Sequence, residues 1–322
     1  MNFYRDIFKK AWLITWKNKY LWFFGLFAVL LGNGGEYDFL FNFLGVNNDG
    51  GVSSGLGGLA QTGILSRQIL PNLARAFVND PVTFLIIIIV FFVIAVLICF
   101  LVWLIVVSQT ALINNTAKII GGKDSSFKEG IEVGVKKFWP VLGMNIVQKV
   151  LIYLFIFILG LSLFYGSLGT SIFYQILFFI FLLISLAISF LIKYSLAFLI
   201  IKDRNFRDSI TEGWLLLKRN WLITLEIAVL IIAISFLVIV ASALVLFTLS
   251  TPVLFIAMLF LKLQSTIGFW VIASIGFILV AALLMLVGAI LATFQTAVWV
   301  NLYVELISGG GTSKILRLFS KA

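Results

Sequence analysis

The sequence contains no histidine, a single cysteine and only four prolines in 322 residues, and 11% of its residues are charged. Without histidine, the chain lacks the side chain that most often titrates near neutral pH or acts as a general base. Cys99 has no disulfide partner, and no group of donor residues has the spacing of a metal site. The sequence therefore predicts no catalytic residues, no cofactor-binding residues and no metal ligands.

Hydrophobic residues are abundant instead: they make up 62% of the chain, and the mean hydropathy is +1.16. Soluble domains carry about 45–50% apolar residues, so a water-soluble fold is excluded. A helix needs about 20 apolar residues to cross a bilayer. Six stretches meet this need, and we predict an all-α membrane protein, a six-transmembrane-helix bundle. The predicted spans lie near residues 17–35, 82–109, 141–164, 172–194, 221–248 and 268–297.

Two features of the predicted spans bear on their packing. Val253–Leu261 is apolar but too short to cross, and Pro252 and Lys262 bracket it. We expect this segment to be re-entrant or interfacial on the outer side. In the last span, the small residues Gly288 and Ala292 are expected to permit close approach of another helix.

Lysine and arginine collect in alternate connections between the spans. Nineteen of the 23 basic residues lie before or at the start of the first span, at 118–137, at 193–219 or near the C-terminus, whereas the outer connections hold only Arg67, Arg75 and Lys262. Basic residues near span ends stay on the cytoplasmic side. We therefore expect a protein of the bacterial cytoplasmic (inner) membrane, with cytoplasmic N and C termini, whose positive charge attracts anionic lipid heads. Nucleic acid binding is not needed to explain the net charge of +10.

Amphipathic helices are predicted ahead of three spans, because apolar residues recur at helical spacing. Ser126 with Glu129, and Asn205 with Asp208, are suitable helix starts for two of them. The apolar positions are Phe127, Ile131, Val135 and Phe138 in one helix, Phe206, Ile210, Trp214 and Leu217 in the next, and Tyr4, Phe8 and Trp12 in a weaker N-terminal copy.

The spans that return to the cytoplasm also end alike, with Gln109–Leu112, Tyr194–Ala197 and Gln295–Val298. We predict one membrane domain, 1–322, built from three repeats of an interfacial amphipathic helix plus a helical hairpin. The repeat units are approximately 1–117, 118–203 and 204–306. Internal repeats often place a binding site between copies, but triplication is also a simple way to build a bundle.

Aromatic residues on the amphipathic helices favour a position at the membrane surface. We predict Trp12, Trp139, Trp214 and Trp221 as interfacial anchors. The alternative is that the same surface docks a protein partner.

Two further segments lie outside the repeated elements. Residues 33–80 are predicted to form an outer Gly-rich loop with a short amphipathic helix that contains Leu65, Ile69 and Leu73. Residues 307–322 are predicted to form a basic cytoplasmic tail.

Few polar residues fall at membrane depth, where ionisable groups are costly and are therefore functional candidates. The third span contains Asn145, Gln148 and Lys149, and the fifth contains Glu226. We predict that these four residues form an intramembrane polar site, in which Lys149 and Glu226 pair along a substrate or ion path. The alternative is a structural pair, or two side chains that reach back to the headgroups.

The repeated pattern resembles bacterial multi-pass proteins related to the glycerophosphoryl diester phosphodiesterase membrane domain. The resemblance covers nearly the whole chain, and in some members of that family the membrane domain is fused to a soluble phosphodiesterase barrel, which is not found in this sequence. It implies a membrane module without phosphodiester hydrolysis, and no catalytic residues carry over. The segments that carry it are Ser126–Gly130 with Phe138–Trp139, Phe206–Ile210 through Gly213–Trp214 to Asn220–Trp221, and Phe294–Val298.

Three functions remain open at this point. The first is a non-enzymatic scaffold or accessory module that acts through contacts with the lipid bilayer or with a possible protein partner. The second is a transporter or permease component that uses the polar site around Lys149 and Glu226. The third is an intramembrane enzyme, which would need an acidic or lysine-based site.

Overall fold

The computed structural model of the chain describes residues 2–30, 81–163 and 168–309. Every regular element in these ranges is an α-helix and none is a strand, so the all-α prediction is confirmed for them. In chain order the helices are α1 (Asn2–Lys17), α2 (Leu21–Leu30), α3 (Pro81–Ile120), α4 (Phe127–Lys136), α5 (Phe138–Leu163), α6 (Leu168–Ile201), α7 (Phe206–Lys262) and α8 (Thr266–Ile307).

The chain divides into two compact units, one comprising residues 1–33 and 105–322 and the other residues 34–104. In the second unit the structure describes only the first part of α3, whose apolar side chains are largely exposed. The predicted Gly-rich loop at 33–80 lies outside the described residues. So does nearly all of the predicted basic tail, from residue 310 onward.

Four of the described helices are long and apolar enough to cross a membrane: Phe84–Ile120, Phe179–Ile201, Phe206–Lys262 and Thr266–Ile307. They match the second, fourth, fifth and sixth predicted spans. The third predicted span coincides with α5, whose described side chains end at Leu154, and Phe138–Leu154 is apolar. The first, predicted at 17–35, overlaps α2 only from Leu21, because α1 ends at Lys17 and a turn separates the two helices; its part beyond Leu30 lies outside the described residues.

Helix α7 contains both the predicted amphipathic helix that begins at Phe206 and the fifth predicted span. It also shows that the prediction for Val253–Leu261 was wrong. Its amphipathic start and its span are continuous apart from a kink at Asn220, where φ is −125° and ψ is 26°. Val253–Leu261 is not a separate re-entrant piece, because the helix runs through Pro252 to Lys262. Hydroxyl groups around the proline bond to backbone carbonyls, as Thr251 Oγ1 does to Phe247 at 2.8 Å. Such bonds help an apolar helix to tolerate proline.

The buried core lies at the end of the bundle where α3, α6 and α8 finish. It contains Val106, Val141, Met144, Leu196 and Val300 among others, so α3, α5, α6 and α8 all contribute. Apolar residues of the first turns of α7 pack against this cluster. Helices α1 and α2 pack against α8, so the beginning of the first unit lies against the last described helix. This packed end positions every candidate site residue.

Candidate functional site

Helix α4 lies against the end of α3 through small residues. Its first turn is capped as predicted, because the Ser126 side chain accepts a hydrogen bond from the amide of Glu129. Gly130 and Gly134 are buried, and a Cβ atom added to Gly134 would lie 2.7 Å from the carbonyl oxygen of Val107. The backbone of α4 therefore approaches α3 more closely than any larger residue would allow.

The start of α7 contacts the end of α6 in the same way. Ser209 and Gly213 are buried, and a Cβ atom added to Gly213 would lie 2.6 Å from Ser195 Oγ and 3.0 Å from its amide nitrogen. Asn205 precedes the helix as predicted, but its side chain makes no capping hydrogen bond. In both amphipathic helices the small residues are buried. Most of the bulky apolar residues beside them, such as Val135 and Trp214, are partly exposed, whereas Leu217 is buried.

Helix α1 makes the third contact of this kind, with the end of α8. Ala11 is fully buried, at the register that Gly213 occupies in α7, and Asn301 Nδ2 donates to the carbonyl of Ile7 at 3.2 Å. Asn115 Nδ2 makes a similar bond from α3 to the carbonyl of Ser126, one helical turn earlier in the repeat, at 3.1 Å. Sequence reasoning did not assign these amides to a contact between helices, although both follow a glutamine of the repeated motif by six residues.

The predicted polar residues of α5 are buried at the junction with α3. Asn145 and Gln148 are 5% and 6% exposed, and Asn145 Nδ2 donates to Gln109 Oε1 at 2.7 Å. At the junction of α6 with α7, the hydroxyl groups of Tyr194 and Thr224 are 2.7 Å apart. Asn145 and Thr224 occupy equivalent positions, each seven residues after the last apolar position of the amphipathic pattern. These polar side chains therefore join neighbouring helices.

Glu226 is half-buried on α7, and its carboxylate accepts a hydrogen bond from the hydroxyl group of Tyr4 on α1. Lys149 is half-buried on α5. The predicted pair of Lys149 with Glu226 stays a prediction. The contact between Glu226 and Tyr4 was missed, because no local pattern relates residues 222 positions apart.

Ion pairs surround the packed end. Lys10 Nζ lies 2.9 Å from Glu305 Oε1, and Lys118 pairs with Glu129. Lys137 pairs with Asp203 and also donates to the carbonyl of Leu199 at 2.6 Å. A hydrogen bond from Lys137, together with the charge of its ammonium group, holds the pKa of Asp203 below its usual value.

The four predicted tryptophan anchors are each more than half exposed: Trp12, Trp139, Trp214 and Trp221. Trp12 also packs edge-on against Phe294 of α8, with ring centroids 6.2 Å apart. Exposed indoles beside apolar helices are typical of residues at the headgroup level. Gly288 does not mark a close approach, since a Cβ atom added there would meet nothing within 4 Å. The close contact in α8 lies one position later, where Gly25 meets Ala289 and Thr293.

Together these features define a helical, membrane-embedded protein with one densely packed end. Over the ranges that the structure describes, no three His, Cys, Asp or Glu side chains are grouped so that they could hold a metal ion. Comparison of the chain with protein-family models, with curated proteins and with solved structures finds no match.

Proposed function

We propose that this chain is a non-enzymatic scaffold or accessory module of the bacterial inner membrane, acting through contacts with lipid headgroups or a protein partner. It crosses the membrane six times, with both termini in the cytoplasm, and consists of three repeats. The similar contacts of α1, α4 and the start of α7 with the ends of α8, α3 and α6 support this triplication. The resemblance to the glycerophosphoryl diester phosphodiesterase membrane domain belongs to the same proposal.

The observation that supports the scaffold function is that polar residues at membrane depth form hydrogen bonds between helices. Asn145 bonds to Gln109, and Glu226 bonds to Tyr4, so both link one helix to another. A buried polar group needs such a partner in any stable membrane protein. These contacts explain why the polar residues are present without invoking a solute.

A transport function is the second candidate, and a different observation favours it. Within the described ranges, the buried atoms Asn145 Oδ1 and Ser108 Oγ have no hydrogen-bond partner. Ser108 adjoins Gln109, to which Asn145 is bonded. Unsatisfied polar atoms at one helix junction are where water or a polar solute would bind.

Solute flux separates the two functions. The full chain would be reconstituted in liposomes, and proton flux, potassium flux and carboxyfluorescein leakage would be compared with those of protein-free liposomes. The scaffold function predicts no flux above that background. The test variant is Lys149→Gln with Glu226→Gln, and its matched control is Lys10→Gln with Glu305→Gln, which removes an ion pair at the surface. Flux that the control retains and the test variant loses would establish transport and refute the scaffold.

A further inference from the structure

An open apolar groove of about 350 Å³ lies between α6 and α7, beside the kink at Asn220. It is lined on α6 by Leu183, Ala187 and Phe190, and on α7 by Trp214 and Trp221 among others. Ligand pockets have volumes of about 300–1,000 Å³. The groove is therefore large enough to hold part of a small amphiphilic molecule.

The groove is apolar along its length and charged at one place. Lys218 is the single ionisable residue in its lining, and it lies between the two tryptophans on the same face of α7. Its ammonium group forms no ion pair with the residues that the structure describes. From Phe190 to Leu183 the groove extends seven residues, or about 10 Å along α6.

We propose that this groove binds one anionic phospholipid, with an acyl chain along α6 and the phosphate at Lys218. The inference rests on the proposed function, in which the protein acts through lipid contacts. Two observations select this occupant. The tryptophans place Lys218 at the headgroup level, where phosphate groups lie. The single cation in the otherwise apolar lining matches a lipid whose negative charge adjoins its hydrocarbon chains.

Native mass spectrometry of the full chain in a mild detergent tests the proposal. The protein would be supplied with equal amounts of phosphatidylglycerol and phosphatidylcholine of identical acyl chains. We expect the wild-type chain to retain phosphatidylglycerol preferentially. Lys218→Gln should reduce that retention about fivefold, because one cation near the surface contributes about 1 kcal/mol. Lys218 is exposed, so its replacement should not affect folding.

Two further variants locate the site. Arg219→Gln removes the same charge from the next residue, which does not line the groove, and should keep the wild-type preference within about twofold. Ala187→Trp fills the groove and should abolish retention of both lipids. Equal losses in the Lys218 and Arg219 variants, equal retention of the two lipids by wild-type protein, or retention by Ala187→Trp would each overturn the proposal.

The lipid result and the flux result are separable. If wild-type protein retains neither lipid and conducts no solute, lipid binding in the groove is refuted and the proposed scaffold function is retained. If it conducts solute through the site at Lys149 and Glu226, the scaffold is refuted whatever the lipid retention.

Discussion

The two ends of the hairpin formed by α7 and α8 are built differently. At the packed end, the residues of α8 from Thr293 to Tyr303 are mostly buried and include the amide of Asn301. At the far end, toward Ser265, most residues of both helices are apolar, more than half are exposed, and Gly276 and Ala257 are the buried ones. Helix α8 has 42 residues and is about 63 Å long, roughly twice the thickness of the hydrocarbon core.

The difference follows from what surrounds the side chains, which is lipid at the far end and neighbouring helices at the packed end. In lipid, exposed apolar side chains cost nothing, and helices associate mainly where small residues let them approach. The far end needs little more than the contact of Gly276 with Val253. At the packed end, several buried polar side chains donate hydrogen bonds to a neighbouring helix, so specific bonds join the helices there. Folding specificity should therefore reside at the packed end.

A graded series of glycine substitutions gives the strongest test of this comparison. Gly25→Ala places a Cβ atom against the backbone carbonyl of Ala289, which cannot move without shifting α8. The variant should lower the free energy of unfolding by about 3 kcal/mol. Gly276→Ala, at the far end, meets only the side chain of Val253 and should cost about 1 kcal/mol. Unfolding in detergent, followed by tryptophan fluorescence, would measure both.

Gly288→Ala is the control for this series. It meets no atom within 4 Å, and the gain in helix propensity should raise the stability by up to about 1 kcal/mol. If Gly25→Ala were no more destabilising than Gly276→Ala, the packed end would not be the more constrained region.

Removal of a side-chain amide that bonds two helices is expected to have the next largest effect on the free energy of unfolding. Asn301→Ala breaks the bond to Ile7 and should cost about 1–2 kcal/mol, because the amide is fully buried. Thr248→Val is the matched control, since its hydroxyl bonds within α7 to Leu244 and is exposed. The control should change the unfolding free energy by less than about 0.5 kcal/mol. Equal losses of unfolding free energy in the two variants would show that the hydrogen bond from Asn301 to Ile7 does not stabilise the packing of α1 on α8.

The helices of the packed end were largely predictable from the sequence, but the contacts between them were not. Long apolar runs indicate helices because a bilayer offers the backbone no other hydrogen bonds, and a local signal such as Ser126 with Glu129 fixes a helix start. Periodicity assigns residues to a face without naming the helix opposite. The partner of Glu226 therefore required the tertiary structure.

Small residues illustrate the same limit. Gly288 and Gly25 are both glycines in apolar helices, yet Gly25 alone lies at a close contact. Nothing in the local sequence separates them, because a stripe of small residues arises readily by chance in an apolar helix. The equivalent positions of Asn115 and Asn301 were a usable signal, since both follow the glutamine motif at the same distance.

The ion pair of Lys137 with Asp203 should have the smallest effect, because it lies at the rim of the packed end. Asp203 is 83% exposed, so solvent and salt screen its charge. Its pKa is lowered in the folded protein, hence the carboxylate stabilises the fold above the unfolded-state pKa of about 3.9. That contribution is lost as the pH falls through the lower, folded-state value.

Unfolding curves of wild type and Asp203→Asn should therefore differ slightly at pH 6 and converge as the pH falls below about 4. Asp124→Asn, at an exposed aspartate in the connection from α3 to α4, is the control for removal of one surface carboxylate. Lys137 keeps its bond to the carbonyl of Leu199 in the Asp203 variant, so the junction itself should remain closed. A loss as large as that of Asn301→Ala would mean that rim charges, and not buried contacts, hold the packed end together.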